Sequence, residues 1–463
     1  MHKRSALLLL LLASACVRRA PYETPKTETT PAFKENESWK VAAPADAALK
    51  GTWWEAFGDE DLSALESQID VSNQTLKAAE AQLQFARAAL RGARAGFGPQ
   101  ISLAPSISRS QQSGTRATST FHDAYGDFLL PADVSYEADL WGRIRQTVNI
   151  NRATAEAVAA DVQSASLSLH AELAVDYFML RGIDRDRQLL DDTVAAYERA
   201  LDLTTNRFRG GIASAADVAL ASTQLESTRG QAVDVGVARA SLEHAIAALT
   251  GHPAAAFSVT VLPLSSTPPP VPAVLPSDLL ERRPDIAGAE RRVAVADAQV
   301  GLAATAYYPI LTLSGAVGFE ASSFGNWLAA ASNFWSVAPS LLVNVFDSGR
   351  RRAVSDQAKA EYAQTTAEYR ESVLSAFREV EDQLAALRIL EDEARIQDGA
   401  VAAAERSLEL ANNRYRGGIA SYLEVITAQS AALTNQRTSV AILVRRMNAT
   451  VLLIKAIGGG WAT

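Results

Sequence analysis

The sequence is poor in the residues that build most catalytic and metal centres. Among 463 residues it has a single cysteine, Cys16, and five histidines. No intramolecular disulfide can therefore form, and the histidines show no spacing typical of a metal site. The sequence also lacks the Gly-x-Ser-x-Gly turn of serine hydrolases and the glycine-rich loop that binds nucleotide phosphates. We predict that the protein is not an enzyme and uses no metal or cofactor.

Positive charge and long apolar runs are also scarce. Lys and Arg number 44 against 52 Asp and Glu, which gives a formal net charge of -8. This balance argues against a nucleic-acid partner, because phosphate-binding surfaces are basic. Beyond the N-terminus no stretch reaches the ~18 apolar residues that a transmembrane helix requires. Any membrane crossing must therefore be made by β-strands.

The N-terminus has the pattern of an exported lipoprotein. Residues 1–15 combine two basic residues, an apolar core and small residues, and we predict that they form a signal peptide. The run Leu12-Ala13-Ser14-Ala15-Cys16 resembles a bacterial lipobox, so we predict lipidation of Cys16; the alternative is an ordinary cleavage site beside an incidental cysteine. Residues 16–50 contain scattered prolines without periodicity and are predicted to be an extended tether.

Two long stretches contain no proline. Arg143 to Arg209 has one internal glycine, Gly182, and Arg351 to Arg416 has only Gly399. Residues that favour helices dominate both stretches. Each is predicted to form one helix of ~100 Å at 1.5 Å per residue, and helices of this length must pack side by side as coiled coils.

The two halves of the chain repeat each other. Asn206-Arg207-Phe208-Arg209-Gly210-Gly211-Ile212-Ala213-Ser214 recurs as Asn413-Arg414-Tyr415-Arg416-Gly417-Gly418-Ile419-Ala420-Ser421, with one conservative difference. Each half is predicted to contain a helix, two strands, one very long helix, a Gly-Gly turn and a returning helix. The first repeat covers residues 51–262 and the second 277–463. The proline-rich residues 263–276 join them and cannot be helix interior.

Segments between the helices alternate apolar and polar residues. In Leu311–Phe319 and around Val337–Val345, nearly every second residue is apolar, and segments 101–107 and 134–140 have the same pattern. This alternation is typical of a transmembrane barrel with a wet interior; the alternative is an amphipathic sheet over a soluble core. Four strands cannot close a barrel, and an open sheet edge cannot survive in lipid. Three copies would supply twelve strands, so we predict a trimer.

Five ordered segments resemble the signatures of one family. They are Trp53-Trp54-Glu55-Ala56-Phe57-Gly58-Asp59, Tyr136-Glu137-Ala138-Asp139-Leu140-Trp141-Gly142-Arg143, Glu281-Arg282-Arg283-Pro284-Asp285-Ile286, Val345-Phe346-Asp347-Ser348-Gly349-Arg350 and Lys455-Ala456-Ile457-Gly458-Gly459-Gly460-Trp461. Over nearly its whole length the chain resembles the TolC-like outer-membrane factor family, in its lipoprotein branch of NodT/OprM-like efflux channels.

The resemblance implies an α+β membrane protein. It implies a homotrimer whose twelve-strand outer-membrane β-barrel, with four strands per chain, continues into a long α-helical periplasmic barrel, the proline-rich linker lying in an equatorial belt. Such a protein would be a lipid-anchored, passive exit duct of an efflux pump, in contact with outer-membrane lipid. A periplasmic adaptor protein and a proton-driven inner-membrane transporter of the RND type would complete the pump. Two alternatives remain open: a duct for type I protein secretion, and a non-channel lipoprotein that bridges envelope layers.

The Gly-Gly turns have a complete structural interpretation of their own. One glycine of each pair is expected in the left-handed conformation that ends a helix. The segment Ser421-Tyr422-Leu423-Glu424 matches a capping box that restarts the chain as helix, and Ser214-Ala215-Ala216-Asp217 is close to one.

The resemblance adds a functional interpretation of the same turns, as the mouth of the duct. Leu423 and Glu424 match positions that form constricting rings in the family, whereas Thr427 stands where relatives often have aspartate, which leaves one acidic ring instead of two. Glu424 is predicted to be a gate residue, a cap or both, and for Asp217 a cap is favoured over a gate. The residues predicted to contact the adaptor are Gly211, Ile212, Ala213, Ser214, Gly418, Ile419, Ala420 and Ser421.

Overall fold

The computed structural model describes residues 22–25, 51–113, 115, 123–269 and 283–459. The predicted signal peptide, Cys16, the tether apart from 22–25, and residues 270–276 of the proline-rich linker lie outside the described residues. The described residues form two compact units, and each draws on both halves of the sequence. The first unit takes residues 22–25, 82–159 and 288–369, and the second takes residues 51–81, 160–287 and 370–459.

The first half has two helices before its strands, where one helix was predicted. The helices are α1 (Glu60–Ser72), α2 (Gln74–Ala95), α3 (Arg143–Arg209), α4 (Ala215–Leu249), α5 (Pro284–Thr305), α6 (Arg350–Arg416) and α7 (Tyr422–Ala456). The strands are β1 (Gln100–Leu103), β2 (Ser106–Ser110), β3 (Tyr125–Ala138), β4 (Ile310–Ala321) and β5 (Asn333–Leu342), and short 3-10 turns cover Trp53–Phe57, Ala254–Ala256, Phe324–Asn326 and Ala330–Ser332. Helices α3 and α6 have 67 residues each, and α4 and α7 have 35 each. In the described part of the chain, none of the helices combines the length and apolar content that crossing a membrane would need.

The strands lie in the first unit and form one antiparallel sheet. Its order is β1-β3-β4-β5, and β2 also pairs with β3. Among the described residues, β1 with β2 forms one outer edge of the sheet and β5 forms the other.

The first strand is interrupted where one continuous strand was predicted. Strands β1 and β2 pair with β3 in the same register, because Leu103 faces Ala132 and Ser106 faces Leu129. The gap holds Pro105, and the residue opposite Ala104 is Pro131; neither proline has an N–H to give to the ladder. One hydrogen bond bridges the gap, from the Ala104 N–H to the Pro131 carbonyl at 3.4 Å. The prediction for the last strand was also too long, since β5 ends at Leu342 instead of Val345.

The two faces of the sheet differ in polarity, as predicted. Paired residues share a face, and the pairs Val134–Gly315, Gly315–Val337 and Ala132–Val317 lie on one of them. The other face contains Ser135–Ser314, Glu137–Thr312 and Thr312–Ser340. Among the described residues, none covers the apolar face at Val337, for example, which is 74% exposed.

The Trp-Trp segment of the family resemblance is a packing element of the second unit. Trp53, Trp54 and Phe57 are buried, and Gly58 follows in the left-handed conformation with φ 65°. Asp59 then begins α1 by accepting a hydrogen bond from the Leu62 N–H. Its carboxylate also accepts a hydrogen bond from a tyrosine hydroxyl of α3 at 2.8 Å, which fixes the start of α1 against that helix.

Helix α5 begins at Pro284, at a position where proline is favoured because its missing N–H is not needed. Arg283, just before it, is buried and donates to Asp285, to Glu379 and to the carbonyl of Ala456. The segment thus ties the start of α5 to α6 and to the end of α7.

Candidate functional site

The two Gly-Gly turns have the same backbone geometry. In the first, Gly211 has φ 74°, the Ile212 N–H donates to the Arg207 carbonyl at 2.8 Å, and the Gly211 N–H donates to the Phe208 carbonyl at 2.9 Å. This is the Schellman arrangement that ends a helix at a left-handed residue. The second turn repeats it at Gly418, also at φ 74°. The prediction of a left-handed glycine is confirmed, and it is the second glycine of each pair.

The helices that follow the two turns begin differently, and the capping prediction was wrong about which one has the box. Ser214 and Asp217 form a reciprocal capping box, with each side chain accepting from the other residue's backbone N–H at 3.1 and 2.9 Å. Ser421 begins α7 without a side-chain capping bond. Glu424, which was expected to complete that box, has its carboxylate 3.4 Å from the guanidinium of Arg414. The longer Glu side chain reaches back to α6, whereas Asp217 is short enough to bond its own helix start.

Arg207 joins the first turn to the second. Its Nη1 donates to the carbonyl of Tyr415 at 2.8 Å and to that of Arg416 at 3.4 Å, which are carbonyls in the last turn of α6, where cations are favoured. Its guanidinium also lies 4.6 Å from the centroid of the Tyr415 ring, within cation–π range. Arg414, its counterpart in the repeat, instead pairs with Glu424. Two equivalent arginines therefore perform different tasks.

A small aromatic cluster lies beneath the turns. Tyr415 and Tyr422 are buried together with Ala221 and Val425, and the two rings are 5.2 Å apart. The Tyr415 hydroxyl donates to the hydroxyl of Thr204 at 3.3 Å. Burial raises the pKa of Tyr422 to about 12, so this ring stays neutral at physiological pH.

The predicted gate residues lie together at the start of α7 and point away from that cluster. Leu423, Glu424 and Thr427 are exposed in the chain, and the Thr427 hydroxyl donates to the Leu423 carbonyl at 2.9 Å. Asp217 is part-buried and its carboxylate is occupied by Ser214. The geometry thus leaves Glu424 with an ion-pair partner and Asp217 with a capping task.

The predicted adaptor-contact residues occupy the two turns. Ile212 and Ile419 are 70% and 75% exposed, although both are large and apolar. Ala213 and Ala420 are partly exposed, and the remaining six residues of the set are exposed. Exposed apolar residues at the tips of two hairpins form a suitable surface for a protein partner.

A polar cluster elsewhere in the second unit was not predicted. His170 of α3 bonds Glu66 through Nδ1 at 2.7 Å and Asp70 through Nε2 at 3.2 Å, and its ring stacks on Trp54 at 4.6 Å. Burial raises the pKa of Glu66 to about 7, although His170 opposes the shift. Burial tends to lower the pKa of His170, but the hydrogen bonds and charges of Glu66 and Asp70 together outweigh burial and raise that pKa.

Sequence reasoning missed this cluster and the roles of the two arginines for different reasons. His170 and Glu66 are 104 residues apart, and nothing local links them. Arg207 and Arg414 occupy the same position of the repeated motif, and this repetition was the sequence signal that could have pointed to a role for them. The described residues contain no group of three or more His, Cys, Asp or Glu able to hold a metal ion.

Comparison with known proteins gives a match over most of the chain. The sequence profile of a family described as "Outer membrane efflux protein" matches residues 65–252 and 275–459. The pyoverdine export outer membrane protein OpmQ of Pseudomonas aeruginosa is 30% identical over 461 residues, which cover 98% of this chain and 97% of the relative. The toluene efflux pump outer membrane protein TtgC of Pseudomonas putida is 29% identical over 453 residues, which cover 97% and 94%.

Solved structures agree with the sequence relatives. The outer-membrane channel OprN has a TM-score of 0.87 at 28% identity, covering 96% of this chain and 100% of that chain. The outer membrane protein VceC of Vibrio cholerae has a TM-score of 0.82 at 26% identity, covering 88% and 98%.

Proposed function

The chain belongs to the outer membrane efflux protein family, and we propose that three copies of it form one passive exit channel of an efflux pump. The chain is an outer-membrane component of efflux, in a family of transport proteins and not of enzymes. The observation that supports the trimeric channel is the sheet, whose apolar face and two edges are left uncovered by the described residues of one chain.

The dimensions of the sheet support a membrane crossing. Phe128 and Tyr136 lie eight residues apart on the apolar face of β3, which is about 26 Å along a strand. Aromatic residues gather at both ends: Phe128 packs against Trp327 at 5.7 Å, and Trp141 stacks on Tyr308 at 5.0 Å. Outer-membrane barrels have an apolar band of ~25 Å between two aromatic girdles.

The uncovered edges support closure by several copies. The β1/β2 edge of one copy can pair only with another strand, and the β5 edge of the next copy supplies one. In lipid an unpaired edge costs several kcal/mol for each backbone group. Counting the interrupted β1 and β2 as one strand, each copy gives four strands, so three copies give twelve. A twelve-strand barrel is wide enough to leave a conduit.

The four helices α3, α4, α6 and α7 would continue this conduit into the periplasm. Charged pairs hold them together within the second unit, for example Arg437 of α7 with Asp186 of α3 at 2.8 Å. Exposed ion pairs such as Arg229–Glu198 fit a solvated surface. These features support a helical barrel made by three copies.

Leu423 and Glu424 are proposed to narrow the periplasmic mouth. Three copies would place three leucines and three carboxylates at the tip of the second hairpin. Arg414 restrains Glu424 in the single chain, and Thr427 adds no second ring of charge. Asp217, whose carboxylate is engaged at Ser214, is proposed as a cap and not as a gate residue.

The exposed turns are the proposed docking surface for the rest of the pump. Ile212 and Ile419 would insert between the hairpins of a periplasmic adaptor, and the neighbouring turn residues would supply backbone contacts. The adaptor would connect the channel to a proton-driven inner-membrane transporter of the RND type. Relatives named for pyoverdine export and toluene efflux support efflux over protein secretion.

Lipidation of Cys16 is proposed as a second attachment to the outer membrane. The described tether residues Tyr22 and Thr24 contact Glu290 of α5. This contact gives the segment a fixed point on the first unit only a few residues after the cysteine. Acyl chains contribute about 0.8 kcal/mol per buried methylene.

The decisive test is single-channel conductance of the purified protein in planar bilayers, combined with its mass in detergent. Discrete openings from a trimer are expected. A monomer that does not conduct would contradict the channel and favour an envelope-bridging lipoprotein. A trimer that conducts and exports a protein substrate instead of small molecules in cells would favour the secretion duct.

A further inference from the structure

A large cavity in the first unit has no place in the function described so far. It lies where the end of α5 and the start of β4 meet the end of β5 and the start of α6, and its volume is about 970 Å³. Cavities of 300–1,000 Å³ are typical of small-molecule sites.

One wall of the cavity carries three arginines, and two of them form ion pairs with acidic residues. Arg143 donates to both carboxylate oxygens of Glu137 at 2.7 and 2.5 Å. Arg351 pairs with Asp347 at 2.7 Å and lies over the Tyr307 ring. Arg350 has no side-chain partner among the described residues. Its guanidinium can therefore accept a ligand without breaking an existing ion pair.

The acidic residues around the wall have other partners than Arg350. Asp347 and Glu361 line the cavity with the three arginines, and Glu137 balances the charge of Arg143. The carboxylate of Asp347 is held by Arg351 and by the backbone N–H groups of Gly349 and Arg351.

The other wall is mostly apolar, although Gln299 and Thr305 of α5 also line it. Leu302 and Ala306 of α5, Ile310 of β4 and Leu342 of β5 line it, and the ring of Tyr308 lies beside them. A ligand that fills the cavity must therefore combine an apolar body with a negative group.

The register of the sheet decides where the cavity opens. Ile310 pairs with Leu342, and two residues further along Thr312 pairs with Ser340, so all four share the polar face. In the channel proposed above, this face lines the interior and not the lipid. The cavity would thus open to the conduit, at the level where the barrel meets the helices.

We propose that this cavity is a transient binding site for cargo that carries a carboxylate on an apolar body. The guanidinium of Arg350 binds the carboxylate with two parallel hydrogen bonds, a geometry that suits arginine. The apolar wall accepts the rest of the molecule. The inference rests on the proposed channel, because only then does the polar face of the sheet meet cargo.

The first test measures binding without requiring conduction. Equilibrium dialysis of radiolabelled 1-naphthoate against the full-length protein in non-ionic detergent, with protein-free micelles as blank, should show saturable binding. Arg350→Ala should weaken this binding about tenfold or more, as loss of a charge-assisted hydrogen bond implies, and Arg350→Lys should give an intermediate value. Arg352→Ala is the matched control, because Arg352 is 87% exposed, lies near Asp356 and does not line the cavity.

Two further measurements test separately whether the site requires a negative ligand and whether it lies in the conduit. The cation 1-naphthylmethylammonium should not bind saturably. In planar bilayers naphthoate should reduce the current of the wild-type channel, and the Arg350→Ala channel should need about tenfold more of it. Absence of saturable binding to the wild type, or equal binding to Arg350→Ala, would overturn the site whether or not the protein conducts. A monomer that does not conduct but keeps Arg350-dependent binding would overturn the channel and the cargo role, but not the carboxylate site.

Discussion

Arg207 donates a hydrogen bond to the backbone carbonyl of Tyr415 at 2.8 Å, and its guanidinium lies over the ring of the same residue. One side chain thus caps the end of a 67-residue helix and packs on its last aromatic ring. The link joins two hairpins that are more than 200 residues apart in sequence, and it suggests that the first hairpin supports the second.

Replacement of Arg207 by Ala should loosen the second turn. The loss of the carbonyl contacts and of the cation–π contact should cost about 1–2 kcal/mol locally. Hydrogen exchange of residues 411–425 should become faster. Arg209→Ala is the control, because Arg209 stands in the same motif but, within the described part of the chain, hydrogen-bonds only to Asn206, at 3.5 Å. Equal exchange in the two variants would show that Arg207 does not support the turn.

Removal of the charge of Glu424 should open the mouth. Glu424→Gln releases Arg414 and removes the proposed ring of three carboxylates, so conductance should rise and block by divalent cations should weaken. The ion pair is half-exposed and contributes only about 0–1 kcal/mol, so the protein should remain folded. Asp217→Asn occupies the equivalent position in the repeat and should leave single-channel currents unchanged. Identical currents in Glu424→Gln and wild type would refute the gate.

A glycine in a turn and a glycine inside a helix should differ in their tolerance of substitution by alanine. Gly418 has φ 74°, where a side chain is strained, so Gly418→Ala should destabilise the hairpin by about 1 kcal/mol. Gly230 lies inside α4 with open space around it, so Gly230→Ala should be neutral or stabilising by up to about 1 kcal/mol. Thermal unfolding in detergent would measure both. A stable Gly418→Ala variant would mean that this turn does not need its left-handed residue.

Stability should fall as the pH rises through neutrality. The folded pKa of Glu66, about 7, exceeds its ordinary value of 4.5, so the folded protein holds this proton more tightly than the unfolded chain. The contribution is present at acid pH and is lost as the pH rises through about 7. The raised pKa of His170 acts in the same direction, with stability present below 6.5 and lost as the pH rises through its folded pKa.

The Glu66→Gln variant tests this linkage. Gln imitates the protonated acid, so the fall in Tm between about pH 5.5 and 8 should be smaller than in wild type by a few degrees. Glu60→Gln, an exposed carboxylate in the first turn of the same helix, should keep the wild-type slope. A parallel pH dependence in wild type and Glu66→Gln would exclude the buried carboxylate as the cause.

The capping of the two returning helices shows where sequence reasoning reached its limit. Both starts carry Ser followed three residues later by an acid, and local chemistry favoured the box with Glu424. In the structure Arg414 lies close enough to draw the longer Glu side chain away, whereas Asp217 bonds Ser214. A competing partner on another helix cannot be read from a four-residue motif.

The local elements of this protein can be predicted from the residues of each segment. The absence of proline predicts the two long helices, the Gly-Gly pairs predict their ends, and alternation of apolar and polar residues predicts a two-faced sheet, because backbone conformation and side-chain direction depend on near neighbours. Tertiary packing determines which distant groups meet: Arg207 with Tyr415, Glu66 with His170, and Arg350 with a mostly apolar wall. Those contacts depend on the packing of whole helices and strands, which brings charges out of water and selects their partners over long separations in the chain.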